Sequence, residues 1–345
     1  MTPRKIRYVH YAVHIAAAAL IGTCCLLPVS AAQTADSAAE AEAAARDNWR
    51  AVMAEPIELG AGCFQASYPS VVWEQAECKE LHPGVHPVLR KPGQGGVSGN
   101  GHDYVAEAAG RISGTLGTFP KVAGVKTEKS VGVAQYGDGG ILGPNEYMLQ
   151  VNTNFTGTTA ACKGHSGCVV WQQFMYATNY AVKGEAAVFM QYWLIGWGDS
   201  ACPKGFYSLG VDCYGNSKYV SAPDVKPTSL ASLSLSGTAV PGGSDTVVFT
   251  DGRTAYRISG SDRVLDISQV WRESEFNVVG DGGGSRADFN TPVSITVKVA
   301  LTDGTTSAPT CVANAGTTAE SNNLDLGKCS TARGSSPSIQ FTESN

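Results

Sequence analysis

From about residue 102 onward, short runs of β-branched, aliphatic and aromatic residues are separated by clusters of Gly, Asn and Asp. The clearest runs cover residues 103–113, 147–152, 169–176, 187–196, 246–250, 275–279, 293–301 and 338–342. Runs of this length bounded by turn residues predict strands. No long 3.6-residue period falls between them, which argues against a parallel α/β fold. No period of 20 to 50 residues marks a propeller or solenoid. The pattern predicts an all-β fold over residues 102–345, a two-sheet antiparallel β-sandwich of jelly-roll or concanavalin-like form.

The segments before residue 102 read differently. Residues 60–101 are rich in Pro and Gly and predict a loop-rich arm with one short strand pair. Residues 33–59 begin Ala-rich, with Trp49, Val52 and Met53 as an apolar patch near the end of the run. That composition favours a short N-terminal helix, kept on the domain or removed as a propeptide. In residues 1–32, Arg4, Lys5 and Arg7 precede an apolar stretch over 12–27 and then Pro28-Val29-Ser30-Ala31-Ala32. This is the layout of a secretory signal peptide, so a secreted, extracellular protein without stable membrane association is expected.

Composition sharpens this reading. Charged residues are 16% of the chain and Gly occurs 40 times in 345 residues, against usual shares of about 25% and about 7%. With 43% hydrophobic residues, a disordered polyelectrolyte is excluded. The formal charge of −5 becomes more negative once the basic leader is removed, and no Arg-rich run remains. Nucleic acid is therefore not an expected partner, and a monomer is expected.

Ten cysteines less Cys24 and Cys25 of the leader leave eight: Cys63, Cys78, Cys162, Cys168, Cys202, Cys213, Cys311 and Cys329. An even set in an exported chain reads as disulfides, although eight cysteines allow 105 connectivities. They fall into four sequence-local couples, 63–78, 162–168, 202–213 and 311–329, which is the expected pairing. There is no C-x-x-C, so metal ligation by these thiols is not expected, and no cofactor is implied.

Three runs carry polar groups that a plain core would not choose. In VVWQQFMYA (169–177), strand alternation sets Trp171, Gln173 and Met175 on one face, with Val170, Gln172, Phe174 and Tyr176 on the other. In VFMQYWLIGWG (188–198), Phe189, Gln191, Trp193, Ile195 and Trp197 share a face. In WRESEFNVVGD (271–281), Glu273, Glu275, Asn277 and Val279 do. An amide buried without a partner costs about 1–3 kcal/mol, so amides among aromatic side chains are a specific thing to build. A carboxylate beside them supplies a general base, and the amides supply donors for an oxyanion.

The order of these three runs resembles the glutamic peptidases called eqolisins, acid proteases built on a two-sheet β-sandwich. The resemblance covers about residues 165–300. It implies that Glu275 takes the place of the catalytic Glu, which activates water, and Gln172 or Gln173 that of the catalytic Gln. It also implies a polypeptide substrate, bound near Gln191, Trp171, Trp193, Trp197 and Glu273. Gln191 stands where the family's aromatic strand carries an acid, and Tyr176 or Ala177 replaces an Asp after the Gln. The competing expectation is a carbohydrate-binding or glycan-cleaving module that stacks sugars on Tyr192, Trp193 and Trp197.

Other motifs are weaker. His82 and His86 are four apart, but the Pro and Gly between them prevent a helix. His165 adjoins Ser166 without a fixed Asp. Residues 281–284, DGGG, read as a turn in preference to a calcium loop.

Overall fold

The computed structural model describes residues 31–81, 103–133, 139–154, 157–313 and 319–345. The leader region 1–30, His82, His86 and the Gly-rich stretch up to residue 102 lie outside the described residues. The chain divides into two compact units. Met1–Ala43 is helical in its described part, and Ala44–Asn345 holds every strand among the described residues.

Alternating apolar side chains build two large antiparallel sheets, each of nine strands. The backing sheet runs in the order Glu74–Ala76, Gly62–Ser67, Thr254–Ser261, Ser244–Thr250, Ser234–Ala239, Gly114–Ala123, Ser294–Thr302, Ser338–Ser344, Asp325–Ala332. The front sheet runs Tyr207–Leu209, Asp212–Asn216, Ala186–Ile195, Val169–Ala177, Tyr147–Thr153, Glu273–Gly280, Tyr104–Glu107, Thr310–Ala313; Val220–Ala222 also pairs with Ala186–Ile195. A small four-stranded sheet centres on Ser285–Phe289 and Glu128–Gly132. This is an all-β sandwich.

Its core lies between the large sheets. Leu149, Val151, Val170, Phe174, Tyr176 and Phe276 of the front sheet pack with Leu235, Phe249, Val297 and Val299 of the backing sheet. Tyr176 stacks on Phe249 with ring centroids 3.9 Å apart. Two contacts set the spacing. The rings of Phe276 and Phe174 lie directly against Gly117 and Gly237, where an added Cβ would stand only 2.1 Å and 2.3 Å from the nearest ring carbon. Gly117 and Gly237 occupy neighbouring strands, so they form a paired notch for two rings. Gly117→Ala or Gly237→Ala is therefore expected to overpack the interior by about 1–3 kcal/mol. Thermal unfolding should show a fall of several degrees in Tm, and unchanged midpoints would mean that the rings are not seated there.

The end of the N-terminal helix, Ala31–Met53, docks on the other face of the backing sheet. Trp49 and Met53 are buried with Ala66, Val248 and Ala255, and the Trp49 indole N–H donates to Ser70 O at 2.8 Å. The few large apolar residues of this Ala-rich helix sit at the end that packs.

All four sequence-local disulfides form. Cys63–Cys78 ties two adjacent backing-sheet strands, whereas Cys311–Cys329 links an edge strand of the front sheet to one of the backing sheet. Two regions differ in detail from the pattern-based expectation. Within the run 103–113 only Tyr104–Glu107 is strand, in the front sheet; the chain then crosses to the backing sheet, which it joins at Gly114–Ala123. The crossing passes Gly110, whose N–H donates to Asp303 Oδ2 at 3.1 Å and which leaves no room for a Cβ against Asp303 O. Gly62–Ser67, in the arm, pairs with Thr254–Ser261 and so extends the backing sheet.

Candidate functional site

The register of the front sheet aligns one residue from each of five strands. Glu275 pairs with Asn152, Asn152 with Gln173, Gln173 with Gln191 and Gln191 with Asn216. The result is a straight polar row across the sheet. Its side chains point away from the backing sheet, on the face where Trp171, Met175, Phe189 and Trp193 form a second apolar cluster. The next row along the same face is aromatic: Trp171 pairs with Trp193, Trp193 with Tyr214 and Tyr214 with Tyr207.

Hydrogen bonds orient the row. Asn152 Nδ2 donates to Glu275 Oε2 at 3.3 Å and to Gln150 Oε1 at 3.2 Å. The Trp193 indole N–H donates to Gln191 Oε1 at 2.9 Å and to Gln173 Oε1 at 3.1 Å. Indole nitrogen is a donor only, so it fixes both amides with oxygen toward Trp193 and nitrogen away. Gln191 Nε2 then donates to Asn216 Oδ1 at 2.9 Å. Gln173 Nε2 donates to no acceptor among the described residues. Glu275 lies two strands from Gln173, about 10 Å between backbones at the usual strand spacing, with Asn152 between them.

Of the two adjacent glutamines, only Gln173 shares the face of Glu275. Gln172 points between the sheets, with its Nε2 3.8 Å from Met190 Sδ. Four of the five members are enclosed: Glu275 is 3% exposed, Asn152 2%, and Gln173 and Gln191 0%, while Asn216 at the end of the row is half-buried. Trp171 and Trp193 are equally buried and offer no ring face to solvent. Trp197 is half-buried under the His165 ring at 3.3 Å, and His165 Nδ1 lies 2.8 Å from Trp197 O, so this His is occupied by its own strand end. Glu273 is half-buried one row along, its carboxyl raised by burial and by Glu107.

Asn152 and Asn216 are site residues that the sequence patterns did not single out. Gln150 and Asn152 alternate in YMLQVNT, a polar i, i+2 pair inside a buried strand; that was the available signal. Asn216 carries no such mark, since only register brings it to the row. Asn277 shares a strand with Glu275, but its amide donates to Asp103 and, at 3.2 Å, to Glu343 Oε2. Asn322 Nδ2 holds the other Glu343 oxygen at 3.1 Å. Glu343 is pushed well up by burial and by Asp103. The DGGG segment is a turn, with Ser285 N–H donating to Gly282 O at 3.0 Å. Among the described residues no group of three His, Cys, Asp or Glu side chains is arranged to hold a metal ion.

No family model matches this chain, and no curated protein matches it. Two solved structures do. One is scytalido-glutamic peptidase with a transition state analog inhibitor, at 10% identity and a TM-score of 0.29, covering 71% of this chain and 99% of that chain. The other is SCP-B, a member of the eqolisin family of peptidases, in a complex with the tripeptide Ala-Ile-His. It matches at 13% identity and a TM-score of 0.28, covering 71% of this chain and 98% of that one.

Proposed function

We propose that this protein is a secreted endopeptidase that cleaves peptide bonds in acid, with Glu275 as general base and Gln173 as oxyanion donor. The observation that carries this reading is the Gln173 amide: Trp193 pins its oxygen, and its buried N–H groups donate to no described residue. A donor held in one orientation in a dry site is what a developing oxyanion requires. Glu275, aligned on the same row and held by Asn152, removes a proton from the attacking water as its oxygen adds to the scissile carbonyl. The Gln173 N–H groups bind the oxyanion that forms. Collapse of this intermediate breaks the C–N bond, and protonated Glu275 returns its proton to the leaving amine. Because Glu275 and Gln173 are enclosed, a substrate reaches them only once the groups over this face move. No comparable observation favours glycan binding, since Trp171 and Trp193 are buried. Four disulfides fit an oxidising compartment, and among the described residues no helix is long and apolar enough to cross a membrane.

The test is cleavage of denatured protein by the purified chain at acidic pH, measured directly and after acid preincubation. Gln173→Ala is expected to lower kcat by about 10²–10³-fold, the usual effect of removing one oxyanion donor, with KM little changed. Gln172→Ala should leave kcat within a few-fold, since Gln172 faces the other sheet. Equal effects of the two substitutions would remove Gln173 from the proposed role.

A further inference from the structure

A cleft of about 550 Å³ opens on the flank of the sandwich, where Asp212–Asn216 of the front sheet faces Thr254–Ser261 of the backing sheet. Cys63–Cys78 and Cys202–Cys213 clip the segments on either side of it. It meets the polar row only at Asn216 and does not include Glu275 or Gln173. Its size lies within the usual range for small-ligand sites, about 300–1,000 Å³.

The lining has a one-sided chemistry. Phe206, Ile258 and Val264 supply apolar walls. Among the described residues, Tyr192 Oη has only the weak thioether acceptor Met190 Sδ, at 3.9 Å. Lys204 and Lys218 are exposed at the cleft, Lys218 bridged to Glu80 at 2.6 Å. No Asp or Glu lines the cleft among the described residues, in a chain with more acids than bases. Asp245, near Tyr192, is pushed well up by burial and by Asp262. Gly260 forms part of the lining, and a Cβ there would stand 3.1 Å from Tyr192 Oη, so the missing side chain keeps the phenol within reach.

We propose that this cleft binds a carboxylate carried on a compact apolar body, with the apolar part against Phe206 and Val264 and the carboxylate accepting from Tyr192 and Lys204. A free aromatic acid and the C-terminal residue of a peptide present the same chemistry. The proposal does not depend on catalysis by Glu275, because binding alone is measured.

Calorimetric titration of the purified chain, above the ligand's own carboxyl pKa, tests it with four probes. They are 3-phenylpropanoate, 3-phenylpropanamide, acetyl-Ala-Phe and acetyl-Ala-Phe amide. Saturable binding of at least one acid is expected, with its amide weaker by about tenfold or more, the worth of a charge-assisted hydrogen bond. Which acid binds more tightly identifies the source of the carboxylate, and either result supports the site. Lys204→Glu should weaken the acid about tenfold without shifting Tm, and Gly260→Val should abolish binding by filling the cleft. Should Gly260→Val fail to fold, Lys204→Glu on an exposed residue still decides. Equal affinity for acid and amide, an unaltered affinity in Lys204→Glu, or no saturable binding by either acid would each overturn the proposal.

Discussion

Replacing Glu275 by Gln is expected to lower kcat/KM for peptide cleavage by about 10²–10⁴-fold, the range associated with loss of a general base. The substitution keeps the size of the side chain. It also leaves an oxygen able to accept from Asn152 Nδ2, the hydrogen bond that holds Glu275 now. What disappears is the capacity to take a proton from water. Tm should therefore stay within a degree or two while turnover falls. Glu273→Gln is the internal control, because that carboxylate lies one row along the sheet, beside Glu107; its rate should remain within a few-fold of the parent. Full activity in Glu275→Gln, measured on protein free of contaminating protease, would end the proposed mechanism.

The second large effect is on stability, and its sign is unusual. Several carboxyls are buried, and burial is the first cause of each upward pKa shift. Glu128 rises to about 9 through burial, Glu146 and Asp288. Asp281 goes well above its ordinary value through burial and neighbouring Glu146, Glu128 and Glu320, although the Thr178 hydroxyl works against the rise. Glu343 rises beside Asp103, although the Asn277 and Asn322 amides oppose it. A carboxyl with a raised folded pKa is protonated in the native state at a pH where the unfolded chain has already ionised. Folding then takes up protons, and stability falls as pH rises. For Glu128 the contribution is complete below about pH 4.5 and is lost as pH climbs to about 9. Each such group contributes a slope of up to about 1.4 kcal/mol per pH unit. Glu185 opposes the trend: partial burial raises it, but hydrogen bonds from Lys79 and Tyr219 outweigh that and lower it. Thermal unfolding followed from acid to mildly alkaline pH should show Tm highest in acid and declining through neutrality, with Glu128→Gln flattening the decline. A Tm that rises over that interval would contradict the upward shifts. Acid preference in folding would also match a peptidase that works in acid.

The parts of the site that could be read in advance were those that depend on neighbours along the chain. Alternation alone puts Gln173 with Trp171 and Met175, and Glu275 with Glu273. The four cysteine couples close locally because each needs only a short loop. Register is another matter. That Asn152 stands between Glu275 and Gln173, or that Asn216 ends the row, follows from pairings between strands up to 123 residues apart in the chain, and no local pattern encodes them. The choice between Gln172 and Gln173 was open for the same reason: either face of Val169–Ala177 is apolar enough for an interior, and all but Val169 of its residues are buried. The end of the strand at Glu107 and the crossing to the other sheet were equally illegible, since the crossing rests on Asp303 receiving the Gly110 N–H.

The seating of Phe174 and Phe276 over Gly237 and Gly117 has a bearing on how this scaffold could be re-engineered. Each ring is the immediate chain neighbour of a proposed catalytic residue, Gln173 and Glu275, and locks the position of that strand from behind. Alignment of the polar row is thus keyed into the sandwich interior and owes little to the connecting loops. Loops around this face should tolerate exchange for new recognition surfaces, whereas a single methyl group added at either glycine would disturb the row from the far side of the sheet.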